Sequence, residues 1–164
     1  MTMTPRLQER PLDLDALLDE TANPRAGALV IFAGTVRDHH QDKRVTRLEY
    51  SAYGPLAEKA LAEIQQQACS RFDILECRVL HRLGDVGIGE VSVYVVVRSV
   101  HRAEAFEAAR WAIDTIKHRV SIWKREEYDD GTHVFVEGCP LHQDAKSGHD
   151  GHEHPRGHAP HSHE

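Results

Sequence analysis

Residues 91–126 read VSVYVVVRSVHRAEAFEAARWAIDTIKHRVSIWKRE, and three predicted elements follow one another in this segment. The run at 91–100 is dense in β-branched residues and predicts the strongest strand of the chain. A helix is predicted from about Ala103 to Arg119, because apolar residues recur there at helical spacing. The residues predicted to face inward are Phe106, Ala109, Ile113 and Ile116. The β-branched and aromatic run VSIW then predicts that the helix ends near Val120 and that a further strand begins.

The segments on either side complete an α+β pattern. Helices are predicted at 12–20 and 55–71, the second with an inner face made of Leu56, Ala60, Ile64 and Ala68. Further strands are predicted at 28–36, 46–53 and 74–84, with RDHHQDKR as a polar loop, GDVGIGE as a turn and a hairpin around Asp130–Gly131. Because helices and strands do not alternate one by one, this order predicts a largely antiparallel or mixed sheet with two main helices and a C-terminal hairpin.

Composition narrows the possible partners. The chain has 164 residues, of which 40% are hydrophobic and 28% charged, as expected for one globular domain. Its net charge of -6 argues against a general nucleic-acid-binding surface. The longest apolar runs, ALVIFA and VYVVV, are too short to span a bilayer, and the first ten residues lack an apolar signal region. We therefore expect a cytoplasmic protein with no nucleic-acid and no membrane partner.

Cysteine and histidine residues do not suggest a metal site in the folded part. Cys69, Cys77 and Cys139 form no CxxC pair, and we expect small buried side chains. His39–His40 lacks a visible third ligand, so neither a metal nor a cofactor is predicted there. From about Pro140 the composition changes, and the last 25 residues hold seven of the 13 histidines. This tail, 140–164, is predicted to be disordered, and tracts of this kind bind divalent metals weakly.

Basic residues recur along the long helix and around its ends. Lys117 lies at the edge of the predicted buried face, Lys124 follows seven residues later, and a turn between them would let both project toward one pocket. His101–Arg102 precedes the helix N-terminus, where N–H groups and the helix dipole favour an anion. Arg37 ends the first buried strand. These positions predict an anion-binding pocket, although no P-loop, dinucleotide-binding fingerprint or nucleophile elbow is present.

Four segments, in this order and spacing, resemble the large, catalytic subunit of molybdopterin synthase: FAGTVR, HRLGDVGIGE, SVHRAEAFEAARWAIDTIK and SIWKRE. The likeness runs from about Gly27 to Gly138. Its most specific part is the His-Arg pair, a lysine fifteen residues after the arginine and another lysine seven residues later. The resemblance implies an α/β hammerhead fold, with a molybdopterin synthase large-subunit-like domain at 1–139 followed by the tail at 140–164.

The resemblance also implies a sulfurtransferase of molybdenum cofactor biosynthesis that needs no cofactor of its own. Large subunits of this family form a homodimer, and each binds a small ubiquitin-like sulfur-carrier subunit, which gives a heterotetramer. The C-terminal Gly-Gly thiocarboxylate of the small subunit supplies sulfur to cyclic pyranopterin monophosphate. Two transfers make the dithiolene of molybdopterin, in a pocket that lies where two large subunits meet.

Matching the family motifs position by position implies a set of site residues. The implied catalytic residues are Lys117 and Lys124. The implied substrate-binding residues are Thr35, Val36, Arg37, His101, Arg102, Lys117, Lys124, Arg125 and Glu126, with Phe32 packed close to the pocket and no metal. Because phosphate and thiocarboxylate are both anions, a basic pocket suits this reaction. One lysine would serve as general acid/base and the other would stabilise developing charge, and the sequence leaves open which is which.

One position departs from the family, and three other functions remain open. Ser121 stands where the family has proline before IWK, which makes the predicted helix stop softer. The alternatives are a Schiff-base lysine enzyme acting on a phosphorylated carbonyl substrate, a metal-binding protein that uses the His-rich tail, and a cysteine persulfide carrier.

Overall fold

A computed structural model of the chain describes residues 2–137, which form two sheets and three helices. In chain order the elements are β1 (Leu7–Gln8), α1 (Leu14–Glu20), β2 (Ala28–Thr35), β3 (His39–His40), β4 (Lys43–Ala52), α2 (Gly54–Arg71), β5 (Glu76–Arg82), β6 (Gly84–Val86), β7 (Val91–Ser99), α3 (Arg102–Arg119), β8 (Ile122–Tyr128) and β9 (His133–Glu137). No helix in this part of the chain is long and apolar enough to cross a membrane.

The first sheet has the strand order β1-β5-β7-β2 and is covered on both faces. Strand β1 runs parallel to β5, and the other neighbouring pairs are antiparallel. Val95 and Val97 of β7 pack in the main core with residues of α2 and α3. Val96, which points to the opposite face, packs against Leu17 of α1. Burial on both faces explains why β7 is apolar at consecutive positions instead of alternating with polar residues.

The second sheet has the strand order β3-β4-β8-β9, with β6 paired to β4 as well. Strand β8 begins directly after α3, because the backbone becomes extended at Val120, where φ is -88° and ψ is 120°. The helix therefore ends at Arg119 although Ser121 replaces a proline. Register places Tyr50 opposite Lys124 and Leu48 opposite Glu126 on β4 and β8. The C-terminal end of α3 therefore lies close to the start of β8, which is part of the second sheet.

The α+β prediction is confirmed, but both predicted helix faces contain an error. Leu56 and Phe106, predicted to face inward, are 54% and 62% exposed. Small residues mark much of the true inner faces, which are Ala57, Leu61, Ile64, Gln65 and Ala68 on α2 and Ala105, Ala108, Ala109, Ala112, Ile113, Thr115 and Ile116 on α3. Alanine permits close approach of helix and sheet, so the inner face need not carry the largest apolar side chains.

Several local predictions also differ from the structure. The predicted loop at 37–44 contains strand β3, and the predicted turn at 84–90 begins with strand β6. Cys77 is buried as predicted, whereas Cys69 is exposed. Cys139 and the tail at 140–164 lie outside the described residues, so the predictions for them stand as predictions.

Candidate active site

A cavity of about 450 Å³ opens between the C-terminal end of α3, the ends of β2 and β7, and the concave side of β4 and β8. Apolar side chains form its floor, among them Phe32, Ile113, Ile116 and Ile122. The polar residues on its wall include Arg37, His40, His81, Lys117, Lys124 and Glu126. The cavity is lined about equally by polar and apolar surface, and converging polar groups of this kind fix the orientation of a bound small molecule.

Lys117 and Lys124 reach the same cavity from different elements. Lys117 lies in the last turn of α3, and Lys124 is the third residue of β8. Side chains alternate along β8, so Lys124 and Glu126 face the cavity while Arg125 points to the other side of the sheet. The change from helix to strand at Val120 is what directs both lysines toward one space.

Glu126 forms the centre of a buried hydrogen-bond network. Its side chain is 3% exposed, and its carboxylate lies 3.0 Å from Lys124 Nζ. It also accepts hydrogen bonds from the Tyr128 hydroxyl and from His40 Nδ1, each at 2.7 Å. Burial alone would raise the pKa of Glu126, but the bonds from His40, Tyr128 and Lys124 outweigh it and hold the pKa below its usual value. Glu126 is therefore an ionised group that fixes Lys124 in place.

The surroundings of Lys117 are different. Its side chain is exposed at the cavity mouth, and it forms no salt bridge within residues 2–137. Asp114, one helical turn earlier, lies 3.9 Å from Arg110 instead. The two lysines thus differ in their contacts, since Lys124 is paired with a buried carboxylate and Lys117 has no such partner in the described part of the chain.

The cavity wall is basic in a protein that is acidic as a whole. Arg37, Lys117 and Lys124 supply three positive charges, against Glu126 as the one carboxylate on the described wall. The whole chain has a net charge of -6. Low-dielectric walls strengthen the field of such a cluster, so the cavity favours anionic ligands.

Four of the residues implied by the motifs do not reach this cavity. Val36 is buried against Val45 and Leu48 in a small core. Arg125 pairs with Glu49 and Glu127 on the opposite face of β8. His101 and Arg102 are exposed at the far end of α3. Arg102 precedes Lys117 by fifteen residues, which is ~22 Å along a helix.

Within residues 2–137 no group of three His, Cys, Asp or Glu side chains comes together as metal ligands. His39 and His40 both line the cavity, but His40 is bonded to Glu126 and His39 to Asp38 at 2.7 Å. The two histidines therefore take part in hydrogen bonds with neighbouring carboxylates.

A family model described as MoaE protein matches residues 7–119 of the chain. The chain belongs to the MoaE family. A relative of this MoaE-family chain from Thermoplasma volcanium, named molybdopterin synthase catalytic subunit, is 47% identical over 121 residues. The alignment covers 74% of this chain and 86% of the relative.

Solved structures of MoaE-family proteins have the same fold. A crystal structure of molybdopterin synthase from Staphylococcus aureus superposes with a TM-score of 0.77 at 32% identity, covering 83% of this chain and 98% of that one. A protein–protein complex of subunits 1 and 2 of the molybdopterin-converting factor from Helicobacter pylori contains a chain that superposes with a TM-score of 0.66 at 25% identity. That match covers 80% of this chain and 89% of that one. The hammerhead fold implied by the resemblance is therefore confirmed.

Sequence reasoning missed two histidines that the MoaE fold brings to the cavity. The sequence presents His40 only as a possible metal ligand, because its partner Glu126 lies 86 residues away in sequence. His81 lies inside a predicted strand and gave no local signal beyond its place in the segment HRLGDVGIGE. Strand pairing brings these side chains to the cavity, His40 through β3, β4 and β8 and His81 through β5 and β7, and single-sequence patterns do not report such pairing.

Proposed function

We propose that this MoaE-family chain is the catalytic subunit of a molybdopterin synthase, which converts cyclic pyranopterin monophosphate to molybdopterin. The observation that carries the proposal is the cavity wall on which Lys117, Lys124 and Arg37 converge. The relative from Thermoplasma volcanium named molybdopterin synthase catalytic subunit supports the same conclusion. The sulfur donor is the C-terminal Gly-Gly thiocarboxylate of a small ubiquitin-like subunit.

The positive charges on the cavity wall would reduce the repulsion between the two anionic reactants of this reaction. The substrate phosphate and the donor thiocarboxylate are both anions, and their encounter is unfavourable unless positive charges surround them. In each transfer the sulfur forms a bond to a substrate carbon and displaces an oxygen from it: one displaced oxygen leaves as water, and the other stays on phosphorus as the cyclic phosphate opens to a monoester. In each transfer a water then cleaves the bond between the acyl carbon and sulfur and releases the donor as a carboxylate. Positive groups held close to these oxygen and sulfur atoms stabilise the charge that develops on them.

The different surroundings of the two lysines suggest different roles. The ion pair with Glu126 holds the Lys124 ammonium in a fixed position, which suits electrostatic stabilisation of the donor's carboxyl end. Lys117 lies at the cavity mouth without a carboxylate partner in the described residues, so its amine can move to exchange protons with the reacting groups. We assign general acid/base catalysis to Lys117 and charge stabilisation to Lys124.

A second copy of the chain would supply His101 and Arg102. Because ~22 Å of helix separates Arg102 from Lys117, one chain does not bring both to its own cavity. Val100 and Phe106, which flank the pair, are 43% and 62% exposed, and exposed apolar side chains of this kind are typical of a surface that another chain covers. We propose a homodimer in which each pocket is shared, with one small subunit bound to each large one. The structure from Helicobacter pylori, a complex of subunits 1 and 2 of the molybdopterin-converting factor, supports the small-subunit partner.

The cysteine environments argue against a persulfide carrier. Burial raises the pKa of the Cys77 thiol to about 12. Cys69 is exposed as a residue, but partial desolvation of its thiol and the nearby Glu76 charge also raise its pKa. Both changes disfavour the thiolate, which is the nucleophilic form. Replacement of Cys69 and Cys77 is therefore expected to leave sulfur transfer intact.

The test uses the purified chain, a thiocarboxylated small subunit and cyclic pyranopterin monophosphate, with the dithiolene product measured as its oxidised fluorescent derivative. Wild type is compared with Lys117→Ala, Lys124→Ala and the matched control Lys59→Ala, a lysine exposed on α2. We expect product from wild type and Lys59→Ala and little from the other two. A folded wild type that binds the small subunit but makes no product would overturn the proposal. Borohydride trapping of substrate on a lysine would then indicate the Schiff-base alternative.

A further inference from the structure

His81 is a buried histidine on the cavity wall to which the proposed mechanism gives no role. It lies in β5, its side chain is 7% exposed, and it lines the cavity. Its ring packs edge-on against Tyr50, with centroids 5.2 Å apart and an interplanar angle of 74°. These contacts fix the plane of the imidazole, so its two nitrogen atoms have defined directions.

The hydrogen bond of Nδ1 determines where the ring carries its proton. Nδ1 lies 2.8 Å from the backbone carbonyl oxygen of Arg82. Because a carbonyl oxygen only accepts hydrogen bonds, Nδ1 must hold the proton and donate it. Burial lowers the pKa of His81 to about 4, although the bond to Arg82 opposes this change. At neutral pH the ring is therefore uncharged, and Nε2 carries a lone pair.

That lone pair is unused in the described structure. Within residues 2–137 Nε2 of His81 has no hydrogen-bond partner, whereas Nδ1 has one. Other possible acceptors on the wall, the hydroxyls of Thr35 and Tyr50 and Nε2 of His39 and His40, belong to residues less buried than His81. Glu126 already accepts three hydrogen bonds, Ser92 donates to the carbonyl of Gly34, and Lys117 and Lys124 can only donate. His81 Nε2 thus offers a buried, neutral acceptor on a wall that carries three cations.

We propose that His81 Nε2 accepts a hydrogen bond from an N–H or amino group of the pterin part of the substrate and so determines how the substrate is oriented. This inference rests on the proposed function. Arg37 and the lysines attract the phosphate, while a lone pair repels it. A buried acceptor favours a ligand with a donor and disfavours one without, because its lone pair is otherwise left unpaired. The two ends of the substrate are thereby distinguished.

Three variants separate this role from a structural one. Asparagine at position 81 can still donate to the Arg82 carbonyl but has no acceptor at the Nε2 position, and phenylalanine keeps the ring volume without either group. Glutamine can place an amide oxygen near Nε2. We expect His81→Asn and His81→Phe to weaken substrate binding about tenfold, and His81→Gln to recover part of the loss. Binding is measured by titration of the full chain with cyclic pyranopterin monophosphate, and KM and kcat by product formation.

Val79→Ala is the matched control for stability, since Val79 is buried in the core in the same strand and is not among the residues that line the cavity. It should lower Tm and leave substrate affinity unchanged. If His81→Asn and His81→Phe lower Tm but bind substrate as wild type does, the inference is wrong. Absence of both substrate binding and product in wild type would instead reject the proposed function itself.

A measurement on wild type covers the case in which the variants do not fold. The ¹⁵N resonance of His81 Nε2 should shift on addition of substrate, because its lone pair then accepts a hydrogen bond. The Nδ1 resonance should not change. An unchanged Nε2 resonance in substrate-saturated protein would overturn the inference.

Discussion

Replacing Glu126 by glutamine tests whether the hydrogen-bond network of the cavity wall both stabilises the fold and positions Lys124. The substitution keeps the size of the side chain and removes its charge. The new amide nitrogen donates, so it cannot bond to Lys124, which also only donates. The Tyr128 hydroxyl or the His40 ring could accept from it only if its own proton pointed elsewhere, so the network must rearrange in either orientation of the amide. At the same time Lys124 loses its counter-charge.

The expected loss of stability follows from burial. Breaking a fully buried ion pair by removing one partner costs about 3–5 kcal/mol. Here Lys124 and His40 are 23% and 28% exposed, so water replaces part of the lost interaction. We therefore expect the free energy of unfolding to fall by about 2 kcal/mol, which lowers Tm by about 4–8 °C in a chain of this size. If Lys124 acts by electrostatic stabilisation, its displacement should lower kcat about 10- to 100-fold.

Urea unfolding and product formation measure the two effects, with Glu127→Gln as the control. Glu127 is the next residue, lies on the opposite face of β8 and pairs with Arg125, both about one-third exposed. Its substitution should cost less than about 1 kcal/mol and leave kcat unchanged. If Glu126→Gln were as stable and as active as Glu127→Gln, the reasoning from this network would be refuted.

Three further outcomes are expected. Co-expressed Lys117→Ala and Arg102→Ala chains, each inactive alone, should regain about a quarter of the wild-type product rate if pockets are shared between two copies, and none if each pocket belongs to one chain. Burial lowers the pKa of His81 from 6.5 to about 4, so between these pH values the unfolded state binds more protons than the folded state. The free energy of unfolding, measured by urea denaturation, should therefore fall by up to about 3 kcal/mol from pH 7 to pH 4. His81→Phe should lack this contribution to the pH dependence of stability. Deletion of residues 140–164, whose composition predicts no packed structure, should leave the product rate unchanged, and a lower rate would show that the tail contributes.

Local patterns were sufficient for most of the fold. The apolar run of β7 and the helical spacing of α3 identify these elements because each depends on side chains close in sequence. The sequence also predicts that Lys117 and Lys124 point toward one pocket, because they are seven residues apart and only a change from helix to strand lies between them. The bond between His40 and Glu126 was not, because it depends on how β3 and β4 lie against β8, across 86 residues of sequence.

The error at Phe106 has a different cause, and it bears on the proposed dimer. A large apolar side chain at helical spacing satisfies the pattern of a buried face whether the protein's own core or another chain covers it. In α3 the core side is formed largely by alanine residues, which leaves Phe106 62% exposed, one turn from Arg102. An apolar side chain beside an arginine that cannot reach its own cavity is what a shared pocket requires: the apolar contact stabilises the association, and the association brings the arginine to the partner's cavity. Phe106→Ser should then weaken both dimerisation, measured by sedimentation, and substrate affinity. If neither dimerisation nor substrate affinity changed, the proposal that this end of α3 contributes to a partner's pocket would be wrong.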